Sequence, residues 1–120
     1  MNADKIVFDK KEGKVVSELV AKFTVGQLIH HRLFDYRGVV IDVDPEFHGS
    51  NDWYNHVAQS KPPKDRPWYH VLVDGAAQRT YVAERNLEPD EEGGPIRHSE
   101  IDDYFQALGD DGYILRNKGH

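Results

Sequence analysis

Seven histidines and no cysteine set the terms for chemistry in this 120-residue chain. Without cysteine there is no disulfide, no thiolate metal site and no thiol nucleophile. His30 and His31 are adjacent in a run that reads as a strand, so their side chains point to opposite faces and do not easily share a metal ion. One surface and one partly buried histidine are expected there. His48 and His56 flank a short helical segment and lack ligand spacing. The four serines (17, 50, 60 and 99) lie outside any nucleophile elbow, and no HExxH, P-loop or GxGxxG pattern occurs. Asp90, Glu91 and Glu92 read as a solvated linker rather than an acid/base pair. The expectation is a binding protein, not an enzyme, with no catalytic residue, no metal and no cofactor.

Two sets of residues suit binding. Arg32, Arg37, Lys61, Lys64 and Arg66 interleave with Trp53 and Tyr54, as a phosphate-contacting or base-stacking surface would. The same residues also suit an ordinary solvated surface. In "DRPWYHVLVDG" (65–75), Tyr69, Val71 and Val73 share one face of a strand and fit a core. Trp68, His70 and Leu72 share the other, which is unusually apolar for a solvated surface. A cover is expected: the neighbouring insertion, a C-terminal helix, or a partner, with Trp53, Tyr54, Trp68, His70 and Leu72 as partner or self-association candidates. His70 reads as a packing residue.

These side chains need a scaffold, and the middle of the chain reads as β. "GQLIHHRL" (26–33) and "YRGVVIDVD" (36–44) are separated by a hairpin-length gap. Val39, Ile41 and Val43 fall on one face of the second run, Val40 spoils the alternation, and Gly38 suggests a bulge or bend. "WYHVLV" (68–73) turns through "DGAAQ" into "RTYVA" (79–83), and "ERNLEP" places Leu87 inward before Pro89. The expected core is Ile29 or Leu28, Val39, Ile41, Val43, Tyr69, Val71, Val73, Tyr81 or Val82, and Leu87. Between the second and third strands, residues 45–66 are too long for a structureless loop. There "SNDWYNHVA" (50–58) reads as a helix capped by Ser50 or Asn51, followed by an extended basic "SKPPKDRP".

"HSEIDDYFQALG" (98–109) reads as a C-terminal helix capped by Ser99, striped by Ile101, Tyr104, Phe105 and Leu108, and stopped by Gly109. "KVVSELVAKF" (14–23) reads as a helical turn or a loose arm. The fold class is therefore mainly β: a small SH3-like five-stranded barrel with a helical insertion between strands 2 and 3 and a C-terminal helix. Its divisions are an N-terminal arm (1–21), the barrel (22–89), and an acidic linker with the helix (90–120).

The length suits one domain. Residues 89–120 carry eight acids and three bases, so −5 of the net −6 belongs to the tail, and residues 22–66 are neutral with six of each. The charge balance neither excludes nor predicts a nucleic-acid surface. No run approaches the ~20 apolar residues of a membrane helix, and the first residues lack the apolar core of a signal peptide, so a soluble cytoplasmic protein is expected.

The order "KFTVGQLIHHRLFDYRGVVIDVDP", an insertion with an aromatic helix, then "RPWYHVLVDG" and "TYVAERNLEP" resembles the YccV-like, or hemimethylated DNA-binding, family of HspQ-type bacterial heat shock proteins, over about residues 22–89. The resemblance implies an SH3-like barrel that self-associates into a homo-oligomer. It implies binding of double-stranded hemimethylated DNA and stress-linked control of replication-initiator turnover. It also implies an alternative in which the partners are proteins, a Lon-type protease and its clients. It carries over no catalytic residues.

Overall fold

In the computed structural model, which describes residues 7–9, 14–17, 21–57 and 61–116, the two most apolar runs lie side by side within one sheet. The elements in chain order are β1 (Val7–Asp9), β2 (Lys14–Ser17), β3 (Leu28–His31), β4 (Arg37–Asp44), α1 (Asn51–Val57), β5 (Trp68–Val73) and β6 (Arg79–Ala83). A 3₁₀ turn (Glu84–Asn86), β7 (Leu87–Pro89), α2 (Ile101–Tyr104), β8 (Phe105–Gly109) and β9 (Gly112–Leu115) follow. Five strands form an antiparallel sheet in the order β6-β5-β4-β3-β7. The sheet is not closed into the expected barrel, because β6 and β7 are edges that do not pair with each other. It is nevertheless curled: Ile29, Val40, Tyr69, Val71, Val82 and Leu87, drawn from all five strands, meet with Phe23 in one cluster.

The second face is buried as well. Val39 and Leu72 lie under Ile96 and Phe105 of the C-terminal segment, and Trp68 and Ala83 lie under Phe47, Trp53 and Tyr54 of the insertion. This explains why β5 is apolar at nearly every position: it is covered on both sides. The expected face of Val39, Ile41 and Val43 is corrected by a bulge. Val40 pairs with Val71 and Asp42 with His70, leaving Ile41 without an opposite residue. Val40 therefore enters the first cluster, Val43 switches to its side, and Val39 and Ile41 pack on the other. Gly38 is a close approach rather than the bulge, since a Cβ there would sit 2.5 Å from Val71 Cγ1.

The insertion helix forms as its cap predicts: Ser50 Oγ accepts the Trp53 N–H at 3.0 Å. The C-terminal helix is corrected to a single turn, Ile101–Tyr104, which Ser99 does not cap. Residues 105–109 are strand, paired with β9 across an Asp110–Asp111 turn. Ile101, Tyr104 and Phe105 need only one turn to reach the Leu72 cluster, and the chain then reverses. Gly26 and Gly112 let this hairpin dock: both have positive φ, and Tyr113 N–H donates to Gly26 C=O at 2.8 Å. The arm is also corrected where it is described. β2 pairs with β1 in a two-stranded sheet instead of forming a helical turn, and residues 18–20 lie outside the described residues.

Candidate nucleic-acid interface

The five bases singled out by sequence do not share one surface. Arg37 faces inward. Its guanidinium meets Asp90 at 3.1 Å and Asp74 at 3.3 Å, and donates to the carbonyls of Gly93 (2.6 Å) and Gly94 (2.8 Å). With 14 % of its side chain exposed, it pins the acidic linker to β4 and spends four of its five N–H donors inside the chain. Asp74 is held below its ordinary range: burial pushes its carboxyl up, but Arg97 outweighs this with hydrogen bonds from its main chain and side chain. Arg32 is half exposed and lies 3.9 Å from Glu88. His30 beside it bridges Asp35 (2.6 Å) and Glu88 (2.8 Å), and those hydrogen bonds raise its pKa. The bases at this end of the sheet are thus engaged by acids.

Of the other three bases, Arg66 lines a recess where Lys22 and Arg85 also arrive. A recess of about 320 Å³ is lined by Lys22, Pro63, Arg66, Ala83, Glu84 and Arg85. Lys61 and Lys64 flank its Pro63 wall in sequence. Lys64 Nζ donates to Asn51 Oδ1 at 2.8 Å and lies 4.3 Å from the Tyr54 ring centroid; Lys61 Nζ donates to the Asn55 carbonyl at 3.1 Å. These contacts orient the ammonium groups while both residues stay exposed. Glu84, the recess's acid, is occupied by the Lys22 N–H (2.9 Å) and the Tyr69 hydroxyl (2.6 Å). The rim therefore presents a positive surface on a negatively charged chain, a geometry suited to a phosphate backbone. Lys22 and Arg85 escaped sequence reasoning because nothing in their local spacing says that folding brings them to residues 61–66.

The aromatic candidates separate too. Trp68 is 1 % exposed and Leu72 is fully buried, so the chain itself covers nearly all of both. Trp68 Nε1 donates to the Pro63 carbonyl at 3.1 Å, and the Tyr54 hydroxyl donates to the Pro62 carbonyl at 2.7 Å; together they staple the insertion down. Trp53 and Tyr54 remain half-buried. His70 packs 4.5 Å from the Tyr81 ring, and its Nε2 meets Asp44 Oδ2 at 3.1 Å. Tyr81 donates to the same oxygen at 2.6 Å. Burial would raise the Asp44 pKa, but the Tyr81 and His70 hydrogen bonds prevail and lower it; burial and then Asp44 raise that of Tyr81.

Asp42 stands close by, so Asp42, Asp44 and His70 have ligand atoms within 4.8 Å of one another. That trio arises across two strands and was invisible to a search for spacing along the chain. Asp44 Oδ2 already accepts two hydrogen bonds, which fix Tyr81 and His70 in place. A second, larger recess of about 610 Å³ runs past Trp53, Trp68 and Tyr81 to Phe34.

No helix among the described residues is long and apolar enough to cross a membrane. Residues 21–112 match the family model described as hemimethylated DNA-binding protein YccV like. The match takes in the five-stranded sheet, the insertion, the basic rim and most of the C-terminal hairpin, and the chain belongs to that family.

Proposed function

We propose that this chain is a non-enzymatic, cytoplasmic DNA-binding protein that holds duplex phosphates on the rim formed by Lys22, Arg66 and Arg85, with Lys61 and Lys64 of the adjoining insertion extending the contact. The observation that carries the reading is the convergence of bases from three separate stretches around one recess of a chain whose net charge is −6. Family membership supports it, and hemimethylated duplex is the preferred ligand on that ground. The wider role implied by the resemblance belongs to the same reading. It comprises an SH3-like, self-associating unit and stress-linked turnover of a replication initiator; the alternative is a proteolysis adaptor acting on a Lon-type protease with protein partners only.

The test is a titration of the protein with fully methylated, hemimethylated and unmethylated duplex at several salt concentrations. Three to five phosphate contacts predict a log–log salt slope of about −3 to −5. Tighter retention of the hemimethylated duplex is expected. No salt-dependent retention of any duplex overturns DNA binding. Equal retention of all three removes methylation reading alone. A saturable effect on protease turnover without DNA retention would favour protein partners instead.

A further inference from the structure

The two open edges of the sheet are finished differently. β7 ends at Pro89, which has no N–H, and carries Glu88; both features discourage a further strand. β6 contains neither a proline nor an acid. Val73 N–H donates to Gln78 C=O (3.2 Å) and Glu84 N–H donates to Pro67 C=O (3.1 Å). Together with the register Val71↔Thr80 and Tyr69↔Val82, these bonds set which residues of β6 bond inward to β5. Thr80 and Val82 do. The C=O of Arg79, both main-chain groups of Tyr81 and the N–H of Ala83 therefore point away from the sheet, and no strand among the described residues pairs there.

This half-ladder is the floor of the 610 Å³ groove. The lining comes from both faces of the sheet: Leu33 and Phe34 on the β3–β4 turn at one wall, Trp53 and Val57 of α1 at the other. Leu33, Phe34 and Val57 are each more than half exposed. A strand laid along β6 would send alternate side chains to the two walls. Among the described residues, the one permanently charged residue on the lining is Arg79, held by Glu100 at 2.7 and 3.0 Å.

We infer that the β6 edge, between the Phe34 and Trp53 walls, docks an extended, uncharged apolar segment of a partner protein by β-strand addition. Only a polypeptide supplies main-chain donors and acceptors at strand spacing, and the uncharged walls complement an uncharged segment. Duplex phosphates would find no available cation among the described residues here. Two copies do not pair through their β6 edges, since each edge is recessed between its own walls and two concave edges do not meet.

The test pans a phage-displayed library of short random peptides on the full chain. Enriched peptides are expected to carry apolar residues at alternate positions and to shift the amide resonances of Tyr81 and Ala83. N-methylation of alternate peptide amides, or Phe34→Glu in the protein, is expected to weaken binding by about tenfold or more. Phe34 is 66 % exposed, so the variant should keep the wild-type far-UV spectrum; Val57→Glu is the second variant if it does not. Failure to enrich any peptide overturns the proposal, as does binding indifferent to N-methylation. Loss of duplex binding in Phe34→Glu assigns the groove to DNA, and a fall in sedimenting mass assigns it to a second copy; either also overturns it.

Discussion

Ala83 lines both recesses, yet they have opposite characters. On one side of it the chain gathers Lys22, Arg66 and Arg85; on the other it gathers Phe34, Trp53 and Tyr81 around bare main chain. A charged rim binds at long range and weakens with salt, whereas an apolar cleft binds at contact and is nearly indifferent to salt. The contrast shows how a small sheet can offer two ligands of different chemistry without overlap. The insertion makes this possible, because Pro63 stands in the wall of one recess and Pro62 in that of the other.

The largest effect should come from the residue that joins them. Trp68 lines the groove, and its indole N–H holds Pro63 of the recess. Trp68→Ala is expected to cost about 3–5 kcal/mol in chemical denaturation and to abolish duplex and peptide binding together. Retention of either at full strength would show that the insertion keeps its place without this anchor. Next comes Arg37→Ala. It leaves the nearly buried Asp90 carboxylate without its guanidinium and should destabilise the chain by about 2–3 kcal/mol, since Glu92 and part of the ion cluster reach solvent. Its duplex salt slope should equal that of wild type; a smaller slope would mean that Arg37 touches phosphate after all.

A double substitution, Lys64→Ala with Arg66→Ala, separates the two recesses directly. Duplex affinity should fall about tenfold or more, with the salt slope reduced by about 2, while selected peptides bind unchanged. Parallel losses would mean one shared site.

The smallest effect is that of pH. His31 is buried, and its Nδ1 accepts the N–H groups of Leu33 (3.1 Å) and Phe34 (3.0 Å), so the neutral ring shapes the Phe34 wall. Burial, with a smaller contribution from His30, lowers its pKa from 6.5. The stability it contributes is present above that value and is lost as pH falls through the lower folded value. His30, raised from 6.5 by Asp35 and Glu88, acts oppositely: its contribution is full below 6.5 and fades as pH rises through the higher folded value. Ring-resonance titrations should place the two midpoints on either side of 6.5. Peptide binding should weaken in acid before duplex binding does.

Much of the scaffold was readable from local pattern. Trp68–Val73 and Arg79–Ala83 announce themselves by β-rich composition and a turn, and Ser50 marks the insertion helix. The C-terminal segment misled because Ile101, Tyr104, Phe105 and Leu108 satisfy a helical stripe, while the stronger cue was the paired-glycine turn at 109–112. Arg37 misled for another reason. Its partners Asp74 and Asp90 are distant in sequence, so an internal ion cluster looks like a solvated base. The rim and the β6 groove were unreadable, since each is assembled from residues far apart along the chain.

The pairing of β3 with β7 joins Ile29 to Pro89 and His31 to Leu87, whereas β3–β4 and β5–β6 close through short turns. A chain made from its N-terminus can therefore complete β3 to β6, with both walls of the groove, before β7 exists to cap the far edge. Until Ile96 and Phe105 emerge, Val39 and Leu72 have no cover. The newborn protein thus passes through a stage at which it already has a receptive edge while half of its own sheet lies bare to water.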